Sequence, residues 1–136
     1  MIRFRYRPER TQDGMVWRPV AEVLLVVGER VLGVEMYIDS GADLSMIPYG
    51  LGRALGLQRN PGEPLRRLGG IAGSARYLLK SVTMKMGSYA FPVRVAWTMN
   101  DQAPLLLGRL DVFQKFRITF EEAKRVVKFR LVGKQP

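Results

Sequence analysis

The sequence predicts a mostly β fold, built as a single domain with one or two short helices. Two observations support this prediction. Apolar and polar residues alternate in several stretches, as in strands that bury one face, and turns rich in glycine and proline separate these stretches. The chain has 136 residues, a length typical of one domain whose core is large enough to fold without disulfide bonds.

The chain contains no cysteine and no histidine. Their absence excludes disulfide bonds, zinc sites of the Cys/His type, Ser-His-Asp triads and cysteine nucleophiles. Acid–base chemistry must therefore come from Asp, Glu, Lys or Tyr side chains. The acidic pair Glu121–Glu122 is too sparse for a dedicated metal site, so we expect neither a metal ion nor a cofactor.

The N-terminal segment "MIRFRYRPER" carries charges throughout and lacks the apolar core of a secretion signal. The most apolar stretch, residues 20–38, is interrupted by charged side chains at four positions, which argues against a membrane span. These are Glu22, Glu29, Arg30 and Glu35. The sequence therefore favours a cytoplasmic protein without a membrane partner.

The formal net charge is +10 and the isoelectric point is about 10.5, which raises the question of an acidic partner. In "IRFRYR", apolar residues alternate with Arg3, Arg5 and Arg7, which predicts a half-buried strand with a basic outer face. We interpret this face first as a solvated surface and only second as a phosphate-binding stripe. No helix-turn-helix, zinc-finger or RNP motif accompanies it, so the sequence argues against nucleic acid as a partner.

The first half of the chain predicts a hairpin and a short helix. Residues 16–27 and 31–39 are apolar and β-branched, and "GER" between them indicates a tight turn. Residues 48–57 have apolar side chains three and four positions apart, which predicts a helix started by Pro48. A turn-rich loop, residues 60–64, follows.

The second half predicts strands again. Residues 65–87 form two strand-like arms around the glycines at 69, 70 and 73, and residues 88–99 alternate as a strand with one apolar face. Residues 103–108 predict an apolar strand, and residues 109–116 one or two helical turns. The last stretch, residues 117–132, predicts a β-hairpin turning near Glu122–Lys124.

The stretch "YIDSGADLSMIP", residues 37–48, places Asp39 at the end of an apolar strand. A carboxylate there must be paired, hydrogen-bonded, neutralised or catalytic. One reading is an Asx-type turn that caps the strand end. The other is acid–base chemistry, for which two close carboxylates that share one proton are suited. Since the chain has one such element, a pair would require two chains.

Four features occur in an order that resembles the retroviral-type (retropepsin-like) aspartic proteases. They are the apolar strands before Asp39, the Asp-Ser-Gly-Ala loop, the glycine-rich "LGGIAG" and the apolar "PLLLGRLDVF". The resemblance covers residues 19–120 and implies an acid-protease barrel that is active as a symmetric dimer. Residues 1–18 would be an N-terminal extension of a strand plus a loop. Residues 19–136 would be the protease domain with a C-terminal hairpin.

The resemblance also implies roles for matching residues. Asp39 would supply one of two catalytic carboxylates, with Asp39 of a second subunit as its partner. Ser40 would brace the two loops across the dimer axis, Gly41 would accept a substrate backbone hydrogen bond, and Ala42 would keep the loop narrow. An ion pair between Asp43 and Arg109 would tie the loop to the Gly-Arg turn. The flap tip would be formed by Gly69, Gly70, Ile71, Ala72 and Gly73.

Three functions follow as hypotheses. The first is a homodimeric aspartic endopeptidase that binds an extended peptide and activates water with two Asp39 carboxylates. The second is a dimerisation or peptide-binding module with the same fold and no catalysis, since fold does not fix function. The third and most distant is a basic, β-rich nucleic-acid-binding protein. The N-terminal extension and the long C-terminal hairpin depart from the retroviral pattern and leave the mode of dimerisation open.

Overall fold

A computed structural model describes residues 1–68 and 75–133. It contains one α-helix, α1 (Tyr49–Ala54), and a 3-10 turn at Glu122–Lys124 among the described residues. No helix in this part of the chain has the length and apolar character needed to cross a membrane. The strands are β1 (Ile2–Arg5), β2 (Arg7–Thr11), β3 (Gly14–Arg18), β4 (Val20–Val27), β5 (Arg30–Ile38), β6 (Ser45–Ile47), β7 (Arg66–Leu68), β8 (Ala75–Met86), β9 (Tyr89–Thr98), β10 (Leu106–Leu107), β11 (Phe116–Glu121) and β12 (Val126–Leu131).

The main sheet has seven strands in the order β4-β5-β10-β6-β9-β8-β7. A further antiparallel pairing between β4 and β8 closes most of this sheet into a barrel. Hairpins at Gly28 and Gly87 join β4 to β5 and β8 to β9, and both glycines have a φ of 59°, which residues with a Cβ rarely adopt. The predicted mostly β, single-domain barrel is confirmed.

The barrel interior is filled by the inward-facing side chains that the alternating patterns predict. In β9, Phe91, Val93, Val95 and Trp97 are buried. The other face of this strand is exposed at Pro92 and Arg94 but buried at its end, where Thr98 is inaccessible to solvent. Its hydroxyl lies 3.1 Å from the carbonyl oxygen of Ile47 and donates to it, so this buried polar group has a partner.

Helix α1 confirms the predicted helix after Pro48 and packs directly on Trp97. The indole N–H donates to the carbonyl oxygen of Tyr49 at 3.0 Å, and the two aromatic rings stack with centroids 5.5 Å apart. Gly52 is buried against the same indole, where an added Cβ would lie 2.1 Å from Nε1. The helix can therefore approach the barrel only because residue 52 has no side chain.

We expect Gly52→Ala to lower the free energy of unfolding by about 2–3 kcal/mol, the usual cost of overpacking a core. Helix propensity alone predicts the opposite sign, since alanine is better than glycine in a helix by about 0.5–1 kcal/mol. Gly50→Ala is the matched control, because its Cβ would meet only a side-chain oxygen of Asp101, at 3.0 Å. Urea unfolding of the two variants measures the difference, and equal stabilities would contradict the packing argument.

The chain termini form a second sheet in the order β1-β12-β11. The predicted C-terminal hairpin with its turn at Glu122–Lys124 is confirmed. The N-terminal strand adds to this hairpin within the same chain, with Ile2 opposite Phe129 and Phe4 opposite Val127. These four side chains face the core, so the terminal sheet covers one end of the barrel.

Residues 7–18 form a two-stranded hairpin, β2–β3, where the sequence predicted a loop as far as residue 15 and a single strand over residues 16–27. Arg7 accordingly does not continue the basic face of β1. Its guanidinium lies 2.6 Å from Glu22 and 3.2 Å from Glu35, which oppose each other on β4 and β5. Because like charges directly opposite in a sheet are destabilising, Arg7 relieves this repulsion and fixes the hairpin on the barrel. A division of the chain after residue 18 stays a prediction.

The prediction of helical turns for residues 109–116 is wrong. Phe113 N–H does bond to the carbonyl oxygen of Arg109 at 3.0 Å, but the segment consists of turns and contains no helix. Asp111 has a φ of 65°, which is incompatible with a right-handed helix. The apolar spacing of this segment therefore reflects packing of a turn against the core.

Candidate active site

Strand β10 lies between β5 and β6 and positions the loop that carries Asp39. It runs parallel to β5, with Leu107 opposite Ile38, and antiparallel to β6, with Leu106 opposite Met46. The chain therefore leaves β5 at residue 39, passes over the end of β10 and returns as β6. This arrangement holds residues 39–44 as a loop at the edge of the barrel.

Three backbone groups fix Asp39. Its N–H donates to the carbonyl oxygen of Leu107 at 3.0 Å, and its carbonyl oxygen accepts from Ala42 N–H at 3.2 Å. The N–H of Gly41 donates to Oδ1 of the carboxylate at 2.9 Å. The carboxylate is thus oriented by its own loop, and the Asx-type turn considered from the sequence is compatible with a catalytic role. An added Cβ on Gly41 would lie 3.2 Å from the same Oδ1.

The segment after β10 crosses the same loop at close range. Gly108 N–H donates to the hydroxyl of Ser45 at 3.0 Å, and Arg109 N–H donates to Ala42 O at 2.9 Å. A Cβ on Gly108 would lie 2.4 Å from the carbonyl carbon and oxygen of Leu44. The crossing therefore requires glycine at position 108, and it locks the loop in place.

The predicted ion pair between Asp43 and Arg109 is not formed among the described residues. Both side chains are exposed, where pairing contributes little. The backbone performs the linkage instead, through Leu110 N–H, which donates to the carbonyl oxygen of Asp43 at 2.9 Å. The resemblance located the contact between the two segments but not the groups that make it.

An ion pair near this crossing joins Asp111 to Arg94. The guanidinium donates to both carboxylate oxygens, Nε at 2.9 Å and the second nitrogen at 3.0 Å. The backbone N–H of Arg94 also donates to Oδ2 at 2.9 Å. The Arg94 side chain holds the pKa of Asp111 below its ordinary value. This pair fixes the turn after β10 to strand β9.

Asp111→Asn is expected to lower the free energy of unfolding at neutral pH by about 1 kcal/mol, a charged hydrogen bond discounted for the exposed guanidinium. Asparagine tolerates the positive φ, so the change tests the charge. Because the folded-state pKa is depressed, this contribution is present above the unfolded value of about 3.9 and is lost as pH falls through the folded-state pKa. Unfolding curves of both proteins from pH 7 to 2 should converge in acid, and a constant gap would contradict the pair's role.

A cavity of about 430 Å³ opens beside Asp39. Its apolar walls come from Pro19, Ile38 and Leu106, and its polar walls from three residues that sequence analysis did not identify: Glu9, Arg18 and Tyr37. Glu9 accepts hydrogen bonds from the Arg18 guanidinium and, at 3.4 Å, from the Tyr37 hydroxyl. Burial and the Glu9 carboxylate raise the pKa of Tyr37, so its hydroxyl remains a donor. The N-terminal hairpin therefore contributes to this cavity.

The predicted flap is described only in its arms. Strands β7 and β8 pair antiparallel, with Arg66 opposite Tyr77 and Leu68 opposite Ala75. The predicted tip residues Gly69, Gly70, Ile71, Ala72 and Gly73 lie outside the described residues.

Ser40 is exposed in the Asp39 loop, and its bracing role stays a prediction. Within residues 1–68 and 75–133, no group of three or more Asp and Glu residues could hold a metal ion.

The sequence pattern predicts the Asp39 loop but not the groups that hold it. Ser45 is completely buried, yet it reads as an ordinary polar residue in "DLSMIP". That Glu9 and Arg18 line the cavity beside Asp39 could not be predicted, because the local sequence of residues 7–18 does not indicate a contact with residue 39. The glycine of "LLLGR" was the one available signal, since glycine after an apolar strand often marks a close backbone approach.

Comparisons with solved structures support the fold of the chain. A scan against protein-family models and a search of curated proteins give no match. Among solved structures, the chain is similar to a retropepsin-like aspartic protease from Rickettsia conorii, with a TM-score of 0.61 and 16% identity over 93% of this chain and 98% of that one. It is also similar to EIAV protease complexed with the inhibitor HBY-793, with a TM-score of 0.54 and 23% identity. This match covers 71% of this chain and 86% of that one. The chain has the retropepsin-like aspartic protease fold.

Proposed function

We propose that the protein is an aspartic endopeptidase that acts as a homodimer. The observation that carries this proposal is the placement of Asp39, whose carboxylate is oriented by Gly41 N–H and opens onto a cavity of about 430 Å³. The retropepsin-like fold supports it, since one solved neighbour is described as a retropepsin-like aspartic protease and the other as a protease with a bound inhibitor. The chain supplies one such carboxylate, and a second copy would supply the other.

In the proposed mechanism, the two Asp39 side chains lie side by side on the dimer axis and share one proton, because two close carboxylates resist joint ionisation. The ionised carboxylate accepts a proton from the attacking water. The protonated one polarises the carbonyl of the scissile peptide bond. The proton then passes to the leaving amine, and no covalent intermediate forms.

The proposed substrate is a peptide in an extended conformation, bound between the barrel and the β7–β8 arms by main-chain hydrogen bonds. Pro19, Ile38, Leu106 and the ring of Tyr37 would contact a side chain beside the scissile bond. Because this part of the wall is apolar, we expect apolar residues at that position, although the cavity as a whole has as much polar as apolar lining. The Glu9–Arg18 pair would form the polar rim of the same cavity.

A silent dimerisation or peptide-binding module is the second candidate. The pairing of β1 with β12 inside one chain favours its peptide-binding form, since the terminal strands are then already engaged and are not free to build a dimer sheet. A chain that stayed monomeric at every concentration could not assemble a site from two identical halves. Binding of peptides without cleavage would identify such a module.

Cleavage of a diverse peptide library, measured from pH 3 to 8 at increasing protein concentration, tests the proposal. Activity per chain should rise with concentration in step with the dimer fraction measured by sedimentation, because only the dimer has both carboxylates. It should also be bell-shaped in pH, since both the fully protonated and the fully ionised pair are inactive. A dimer that cleaves no peptide over this range would refute the endopeptidase and leave the binding module.

A further inference from the structure

The outward side of the terminal sheet carries five cations. The register places Arg3 opposite Lys128 and Arg117 opposite Arg130, and residues two apart on a strand share a face. We call this surface the basic face; its cations are Arg3, Arg5, Arg117, Lys128 and Arg130. On the opposite side of the same strands most side chains pack in or against the core, while Phe120 and Leu131 at the strand ends stay exposed. Neighbouring strands are about 4.8 Å apart and alternate residues about 7 Å apart, so each of these cations lies within about one Debye length of its nearest neighbour among them.

This arrangement opposes folding stability. Two pairs of like charges stand directly across antiparallel strands, Arg3 with Lys128 and Arg117 with Arg130, and such pairs are destabilising. The basic residues near the Asp39 cavity and in β9 differ, since Arg18 and Arg94 are each engaged by a carboxylate. Packing alone therefore gives no reason for the clustering on the basic face.

One carboxylate on this face opposes the cations. Glu121 lies 2.6 Å from the ammonium of Lys128 and 3.7 Å from that of Lys124. Lys128 holds the pKa of Glu121 below its ordinary value, so the carboxylate is charged at neutral pH. With one carboxylate against five cations, the face keeps a strong positive charge.

We propose that the basic face binds the phosphodiester backbone of double-stranded nucleic acid. Four of its five cations are arginines, whose guanidinium groups suit phosphate oxygens. The outward positions of the three strands carry no aromatic side chain: besides the cations they are Val126, Thr119 and Glu121. Single strands are held largely by stacking on aromatic rings, so a duplex fits this face better. A face that inserts between lipids would carry apolar side chains, and Val126 is the single apolar residue among the outward positions of these strands.

This interaction is separate from peptide cleavage, because its residues lie on the terminal sheet and do not line the cavity at Asp39. It uses contacts to phosphate alone, so binding should be independent of base sequence. It should also be steeply salt-dependent, because each phosphate that a cation neutralises releases counterions. The sequence argued against nucleic acid as a partner because no known binding motif accompanies Arg3 and Arg5. It could not show that three further cations from the other end of the chain lie beside them.

The test is fluorescence anisotropy of a labelled 20-base-pair DNA duplex of mixed sequence, titrated with the full chain between 50 and 200 mM salt. Contacts from four to five cations predict a slope of log K against log salt of about −4. Arg3→Gln/Arg130→Gln should reduce this slope by about 2 and weaken binding at least tenfold. Arg53→Gln/Lys85→Gln removes the same net charge at exposed sites elsewhere and should change binding much less.

Glu121→Gln is a variant for which the expected change in duplex affinity has the opposite sign. It removes the opposing carboxylate and frees Lys128, so duplex affinity should increase several-fold. Equal losses in the two double variants would overturn the proposal, since net charge alone would then explain binding. Tighter binding of the matched single strand, or capture of phosphatidylserine vesicles without capture of the duplex, would also overturn it. Circular dichroism shows whether each variant is folded. If Arg3→Gln/Arg130→Gln does not fold, the affinity of Glu121→Gln for the duplex still tests the proposal.

Discussion

Replacing Asp39 by asparagine is expected to abolish peptide cleavage. The amide cannot accept a proton from water, and general acid–base groups contribute about 10²–10⁴-fold to the rate. In the proposed site the loss is larger, because a symmetric dimer loses both carboxylates at once. Cleavage of a substrate selected from the peptide library, followed by mass spectrometry, measures the change. The Asp39→Asn protein should show no cuts above background.

The asparagine variant should keep its fold. The amide oxygen can still accept the hydrogen bond from Gly41 N–H, and the backbone bonds to Leu107 and Ala42 do not involve the side chain. Asp13→Asn is the matched control, since Asp13 is exposed in the turn between β2 and β3, and it should cleave like wild type. Cleavage that persists in folded Asp39→Asn would exclude Asp39 as the catalytic group.

Gly108→Ala is expected to have the largest effect on stability. Its Cβ would lie 2.4 Å from the carbonyl of Leu44, and that neighbour is backbone held between the Asp39 loop and β6. Neither segment can move without breaking the bonds from Gly108 to Ser45 or from Arg109 to Ala42. We expect the free energy of unfolding to fall by about 3 kcal/mol or more, toward the upper end of overpacking costs.

Gly33→Ala is the control for this experiment. Gly33 lies in β5, where a Cβ would meet only Leu24 Cδ2, at an ordinary contact distance of 3.5 Å. Its stability should be close to that of wild type or slightly higher, since alanine costs less conformational entropy in a strand. Thermal unfolding of the two variants separates the steric effect from a general effect of replacing glycine. A Gly108→Ala protein as stable as wild type would contradict the close crossing.

The strands that bury one face could be predicted from the sequence because their pattern is local. The alternation in β9 and the apolar runs of β4 and β5 give the correct elements, and the Asp39 loop stands out as a carboxylate after an apolar strand. The insertion of β10 between β5 and β6 could not be predicted from periodicity, since it joins residues about sixty to seventy apart in sequence. Only the resemblance to the retropepsin-like proteases indicated that those segments belong together.

Two of the predictions that failed concern exposed charges and a polar segment, and the third, the helical turns at residues 109–116, failed because Asp111 has a positive φ. The Asp43–Arg109 pair was expected because both residues match family positions, yet exposed charges gain little from pairing. The β2–β3 hairpin was read as a loop because "RPERTQDGMVWR" lacks a clean alternation. It is held by distant partners, among them Arg7 with Glu22 and Glu35 and Trp17 beneath the guanidinium of Arg125 at 3.9 Å. The local sequence of residues 7–18 does not indicate which distant residues these side chains contact.

The proposal of one site built from two chains is tested most directly by mixing subunits. Wild type and Asp39→Asn are unfolded together in equal amounts, refolded, and compared with the same amount of wild type refolded alone. If both chains contribute Asp39, random pairing places half of the wild-type chains in mixed, inactive dimers. Activity should then fall to about one half, and toward zero as the asparagine variant is added in excess. Activity that stays at the wild-type level at every ratio would show that a single chain is sufficient and would contradict the two-Asp39 site.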